Sequence, residues 1–212
     1  DRIADLTCGM GNFINFCPNE ENFYGCELDG DACKIARFLY PKAHLENQDI
    51  REYCPGVFFD CVVGNPPFHL SWEYGDKRVS SQLGYCLIAA EMLVPLGILA
   101  VIVPESFLAD SFTDQDAVRM MEERYSFLCQ TDLPKTMFSG YGVEKFAVKL
   151  QFWQKKSRRV KLPGGSYTQE SVRTIREDSD LKEEAGLLYE NYLRPARERQ
   201  KRNRTNIFLE TA

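Results

Sequence analysis

Residues 58–69 read Phe58-Phe59-Asp60-Cys61-Val62-Val63-Gly64-Asn65-Pro66-Pro67-Phe68-His69. The first seven are apolar after one aspartate, with no alternation. That pattern marks a strand buried on both faces. Two prolines in a row then stop the strand and stiffen the turn. They fix the Asn65 side chain and the Pro66 carbonyl as two hydrogen-bond acceptors in a rigid pair. Phe68 follows, placed to stack. A plain strand-ending turn does not require Asn-Pro-Pro-aromatic, and the acceptor pair suits an amino group attached to a planar ring.

Outward from this segment, strand-like and helix-like stretches alternate. Arg2–Leu6, Asn22–Glu27 and Lys42–Leu45 read as strands before it, and Gly97–Val103, Phe127–Thr131 and Phe146–Trp153 after it. Helices are expected to open at Gly9–Phe16 and to cover Asp31–Tyr40, residues 80–94 and Asp116–Tyr125. Such alternation predicts an α/β fold, with a mostly parallel seven-stranded sheet and helices on both faces. Ligands of these folds sit at the carboxyl ends of the strands.

Past Trp153 the character changes to a basic, turn-prone connector and then a helical stretch broken near Pro195. The expected division is therefore a catalytic domain over 1–153 and a basic helical extension over 154–212. The chain opens inside its first strand, so the expectation is a piece of a longer protein lacking an N-terminal segment. Net charge is −5 over 212 residues. Residues 1–152 carry 12 basic and 22 acidic side chains, whereas 153–212 carry 14 and 9. Two basic clusters stand out: Lys155, Lys156, Arg158, Arg159 and Lys161, then Arg197, Arg199, Lys201, Arg202 and Arg204. They suit either phosphate contacts or a solvated helix and linker.

A composition of 44% hydrophobic and 27% charged residues excludes a disordered or collagen-like chain. No apolar run reaches the ~20 residues that span a bilayer, so no membrane partner is expected. Eight cysteines without a CxxC pair, and two histidines, argue for free thiols and against a bound metal.

Three further segments carry chemistry. Asp5-Leu6-Thr7-Cys8-Gly9-Met10-Gly11-Asn12-Phe13 reads as a strand entering a glycine turn, where backbone can approach a ligand closely. Ile14 breaks the full dinucleotide fingerprint, so an ordinary tight turn stays open as an alternative. In Tyr24-Gly25-Cys26-Glu27-Leu28-Asp29, a carboxylate at the second strand's end can accept from ribose hydroxyls. Glu27 is the better candidate, since Asp29 stands where a helix N-cap belongs. Asn47-Gln48-Asp49-Ile50 offers either an acceptor for an adenine amine or a plain loop acid.

These segments, in this order and spacing, resemble S-adenosylmethionine-dependent methyltransferases of the amino-group class. More closely, residues 2–153 resemble the N6-adenine DNA methyltransferases, such as modification subunits of type I restriction systems. The resemblance implies a Rossmann-like class I methyltransferase fold, S-adenosylmethionine as cofactor and DNA as partner. It also implies a separate specificity subunit or further domains, and a bacterial cytoplasmic setting.

Carried over by position, it implies that Asp5 and the turn Thr7, Cys8, Gly9 and Gly11 line the methionine part. Glu27 would hold the ribose, Leu28 the adenine face, and Asp49 with Ile50 the adenine amine. Tyr85 would pack at the cofactor. Asn65 and Pro66 would accept from the target amine, with Pro67 stiffening the turn and Phe68 stacking on the flipped base. Phe138 or Tyr141 would support that base from its other face. Guanine-N2 RNA and glutamine protein methyltransferases share the Asn-Pro-Pro-aromatic motif and stay open, as does a non-catalytic module. Trp72 and Tyr74 are read either as a mobile substrate loop within 71–82 or as packed aromatics, and His69 as catalytic or packing.

Overall fold

The computed structural model describes all residues except 110, 111, 143–145, 159, 161, 163–165, 211 and 212. The side chains of 112–114, 141 and 206–210 are likewise outside the described set. The elements run β1 (Ile3–Asp5), β2 (Phe23–Glu27), α1 (Gly30–Leu39), β3 (His44–Asn47), β4 (Phe59–Gly64), β5 (Ser71–Tyr74) and β6 (Lys77–Ser80). They continue with α2 (Ser81–Met92), β7 (Leu93–Pro104), α3 (Phe112–Arg124), β8 (Tyr125–Asp132), β9 (Val148–Lys155), β10 (Arg173–Thr174), α4 (Leu181–Leu188) and α5 (Arg194–Glu210). A π-helical turn, Tyr189–Leu193, joins α4 to α5.

One sheet orders its strands β10-β8-β9-β7-β4-β1-β2-β3. All neighbours pair in parallel except β9, which runs antiparallel to both β7 and β8. From β1 the chain moves outward to β2 and β3, then returns to β4 on the other side of β1. Strand order reverses between β1 and β4, which opens a crevice at their carboxyl ends.

Alternation along the strands assigns the faces. Ala4, Leu6, Cys26, Val62, Leu99 and Val101 point into the main core with α2. Phe23 and Leu45 face the opposite way, into a second core with Ala36 of α1. Cys129 and Phe152 meet Leu188 of α4 in a third cluster on that same side of the fold as Ala100. Ten of the twelve residues of α2 are buried, because the helix is covered by the sheet, by α3 and by the β5–β6 hairpin.

Three expectations are corrected. The sheet has eight strands, not seven: β10, from the stretch read as linker, pairs in parallel with β8. Two residues are too few to carry a hydrophobic period. No helix opens at Gly9–Phe16; one 3-10 turn, Ile14–Phe16, takes its place. Gly9 (φ 54°) and Gly11 (φ 91°) are left-handed and cannot propagate a right-handed helix, and Pro18 prevents one from starting late. Residues 71–80, read either as a mobile loop or as packed aromatics, form an ordered hairpin with Trp72 and Tyr74 packed against the main core. Its Gly75-Asp76 turn, with Gly75 at φ 61°, matches strand twist as a II′ turn does. Finally, the strand read from Gly97 begins at Leu93. A register shift against β4, and Leu96 at φ 63°, hide its first part from a periodicity reading.

Candidate functional site

Sheet register sets the site. Asp5 pairs with Val63 on one side and with Gly25 on the other. Counting two residues onward, Thr7, Glu27 and Asn65 therefore leave the sheet at one level. They line a cleft of about 540 Å³, together with Leu6, Leu28, Asp29, Gln48, Asp49, Ile50, Arg51, Pro67, Leu70 and Trp72. That size suits a small-molecule site. The cleft thus gathers seven of the residues singled out from the sequence: Thr7, Glu27, Leu28, Asp49, Ile50, Asn65 and Pro67.

Behind it lies a buried polar triangle. Asp5 is 3% exposed, and its Oδ1 accepts from the Thr7 N–H at 3.0 Å. The Tyr85 hydroxyl donates to the Val63 carbonyl at 2.6 Å, accepts from the Leu6 N–H at 3.2 Å and lies 3.4 Å from Asp5 Oδ1. A side chain at Gly64 would collide with that hydroxyl, so glycine is what lets Tyr85 reach the backbone here. Burial pushes the Asp5 carboxyl up to about 7, against the lowering effect of the Thr7 N–H and Tyr85. The Thr7 hydroxyl is buried without a hydrogen-bond partner. Such an orphan at a cleft wall is satisfied by a polar ligand group.

The carboxylates at the lip are held from the back. Glu27 accepts from the Gly9 N–H through Oε2 (2.7 Å) and from the Asp29 N–H through Oε1 (2.8 Å). Each oxygen keeps a further lone pair for the cleft. Asp29 caps α1, accepting from Asp31 and Ala32 N–H. Asp49 is gripped by Arg51, whose Nε donates to Oδ1 at 2.9 Å and whose Nη2 donates to Oδ2 at 2.5 Å. That fork holds the Asp49 carboxyl below its ordinary value. Leu28 is 70% exposed, a large apolar side chain at the cleft rim.

The Asn-Pro-Pro turn is anchored from α2. The Pro67 carbonyl accepts from Ser81 Oγ at 2.6 Å and from Gln82 Nε2 at 3.2 Å, and both side chains are buried. Pro66 is buried and Asn65 is exposed. Periodicity could not flag Ser81 and Gln82, because they look like ordinary first-turn residues of a helix. Arg51, Gln48 and Leu70 were likewise missed; position beside Asp49 and after the prolines was their only signal.

Phe68 does not line the cleft. Its ring stacks on Phe146 (centroids 5.3 Å apart) in a cluster that also includes Phe138. His69 meets the edge of Phe146 and sits at φ 61°. The Tyr141 side chain lies outside the described residues. Cys8 and Gly11 face the second core instead: Cys8 packs with Phe23 and Leu45, and Gly11 lies against Tyr40 and Ile14.

The basic clusters lie at the other edge of the sheet. Lys155 Nζ donates to the Leu93 carbonyl and Lys156 Nζ to the Glu122 carbonyl. Arg197 pairs with Asp1, and Arg204 with Asp1 and the buried Asp60. Arg199 donates to Gln154 Oε1, and Arg202 pairs with Glu198. Asp60 and Leu93 stand at the amino ends of β4 and β7, so these groups face away from Asn65. Arg159 and Lys161 lie outside the described residues.

An S-adenosylmethionine fits what is present. Glu27 offers acceptors for a diol, Asp49 for an amine, Leu28 and Ile50 apolar cover for a ring, and Thr7 an unsatisfied hydroxyl. No protein-family model and no curated protein matches the chain. Its fold is similar to that of a Listeria monocytogenes protein described as a class I S-adenosylmethionine-dependent methyltransferase (TM-score 0.67, 18% identity, 89% of this chain and 62% of that one). It is similar to the type I restriction-modification methyltransferase subunit of Streptococcus thermophilus (0.66, 15%, 90% and 48%). A type I restriction enzyme modification subunit from Vibrio vulnificus is also similar (0.58, 18%, 74% and 40%). The chain therefore spans 40 to 62% of these three proteins. At such identities the likeness establishes the architecture: this chain has the Rossmann-like class I methyltransferase fold.

Proposed function

We propose that this chain is the catalytic part of an S-adenosylmethionine-dependent methyltransferase acting on the N6 amino group of adenine in DNA. One observation carries the reading. Asn65 and Pro67, on either side of the buried Pro66, line the same cleft as the Glu27 and Asp49 carboxylates. An amine-gripping turn and a nucleoside-gripping pair of acids thus share one space. Two structural neighbours are type I restriction-modification subunits, which supports DNA as substrate.

An exocyclic adenine amine is a poor nucleophile, because its lone pair is delocalised into the ring. Asn65 Oδ1 and the Pro66 carbonyl hold its two hydrogens and favour a more tetrahedral nitrogen. Ser81 and Gln82 keep the turn from swinging away. The bound cofactor supplies an electrophilic methyl group on a sulfonium. The protein's part is positioning and electrostatics rather than a tuned general base. The target base leaves the stack to be reached, at a cost of a few kcal/mol.

Residues 1–153 carry this chemistry in the proposal. A separate specificity subunit or further domains supply sequence recognition. The position of the described residues of the basic clusters supports that division, since they face away from the cleft. The test is transfer of a labelled methyl group to DNA, RNA and a glutamine-bearing protein in parallel. Label recovered as N6-methyladenine in DNA is expected. Label confined to RNA guanine or to glutamine would replace the substrate, and none on any acceptor would leave a non-catalytic module.

A further inference from the structure

We propose that Trp72, carried by the β5–β6 hairpin, forms the wall that closes the adenine end of the cofactor cleft. The inference rests on reading the cleft as the cofactor site. It deepens that reading by assigning a residue outside the strand-end motifs.

The cleft has two sides of different origin. Glu27, Leu28, Asp49 and Ile50 come from the ends of β2 and β3, while Leu70 and Trp72 come from the chain between β4 and α2. Trp72 lines the cleft together with Leu28, Asp49, Ile50 and Arg51, the residue that grips Asp49. An aromatic side chain in the same cleft as Leu28 and Ile50 suits a planar heterocycle.

The hairpin is built to hold this ring in place. Trp72 pairs with Val79, which is buried. The indole rests on Gly84 of α2, where an added Cβ would lie 2.8 Å from Cε3. Both ends of the hairpin are fixed to the body. The Ser81 N–H donates to the Leu70 carbonyl at 2.9 Å. Tyr74 bonds Glu91 through its hydroxyl, and Arg124 lies over its ring.

The experiment is titration with S-adenosylhomocysteine, followed by calorimetry and by tryptophan fluorescence together. The chain has two tryptophans, and Trp153 is wholly buried in the core, so Trp72 is the reporter at the cleft. The expected result is a fluorescence change that tracks the calorimetric isotherm and vanishes in Trp72→Phe. Trp72→Ala is expected to weaken binding roughly tenfold, the scale of one ring–ring contact. Gly84→Ala guards against simple misfolding. Alanine is the better helix former, yet the added methyl pushes the indole off its seat, so affinity falls while the melting temperature holds. Heat of binding without a fluorescence change, and full affinity in both alanine variants, would overturn the assignment and leave the cofactor reading standing. No heat with the unaltered chain would overturn the cofactor reading, and the assignment with it.

Discussion

The two edges of the sheet use the same chemistry to opposite ends. At the carboxyl edge, Asp5, Glu27 and Asp29 accept chiefly from backbone N–H groups. At the amino edge, Asp1 and Asp60 are met by the guanidinium groups of Arg197 and Arg204. A backbone N–H orients a carboxylate and leaves its charge and spare lone pairs available. A guanidinium neutralises it and closes the fork. Among the described residues, the first edge is therefore arranged to receive a ligand and the second to fasten α5 to the sheet. Asp49 departs from its edge, since Arg51 forks it; a ligand amine must share that carboxylate with the guanidinium.

The largest effect that sharpens this contrast is expected at Asn65. In the proposed mechanism, Asn65→Ala removes one of two acceptors for the target amine while sparing the carboxylates at the cofactor end. Turnover should fall by at least ~10³-fold, with S-adenosylhomocysteine affinity within about twofold of the unaltered chain. Turnover that survives the substitution would sink the mechanism.

Asp5 comes next, and pH is the probe. Its carboxyl titrates near 7 in the folded chain against an ordinary value of 3.8. The folded state keeps a proton that the unfolded chain releases between those values. Stability should therefore fall as pH rises from about 4 to about 7 and level off above. Asp5→Asn should abolish that slope and be the more stable protein at pH 8, by a few kcal/mol in denaturant titration. S-adenosylmethionine is cationic, so its affinity should move the other way and rise through pH 7. Flat stability in the unaltered chain would show that Asp5 is solvated in a way its burial does not suggest.

A smaller loss is expected when the turn is loosened. Ser81→Ala with Gln82→Leu strips the Pro67 carbonyl of both donors. It should lower kcat about 10- to 100-fold with little change in cofactor affinity. An equal loss in both would mean that the pair holds the whole cleft, not the amine-gripping turn.

Sequence reading reached β1, β2 and β4, because each is an apolar run ended by a glycine, an acid or a proline pair, while β3 (His44–Asn47) has only Leu45 buried. It also reached the cleft residues from those ends, since parallel register brings strand ends to one level. What it could not reach depends on contacts distant in sequence. Ser81 serves the cleft by meeting a carbonyl 14 residues away, and Gln82 by meeting the same carbonyl 15 residues away. Local pattern carries no trace of that partner. The glycine turn was misread as a helix opening for a different reason. Its hydrophobic spacing is helical, but two left-handed glycines override it. The basic tail stayed open because of composition: charge counts say nothing about which arginines already have a carboxylate in reach.

That last point sets the smallest expected effects, at the amino edge. Arg204→Ala leaves the buried Asp60 with the Arg2 N–H at 2.8 Å and with Gln200, but without a countercharge. Breaking such a pair, here with a half-exposed arginine, should cost about 1–3 kcal/mol and lower Tm by roughly 2–8 °C. Cofactor affinity should not move, because β4 carries the load from Asp60 to Asn65 over ~15 Å of rigid strand. Reversing Lys201 and Arg202 to glutamates tests the other use of the same helix. Both are exposed, and Arg202 already faces Glu198. If α5 serves only as a clamp, the salt dependence of DNA binding by the chain should be unchanged. A slope reduced by one or two would place phosphate on this edge after all, and the contrast between the two edges would have to be drawn differently.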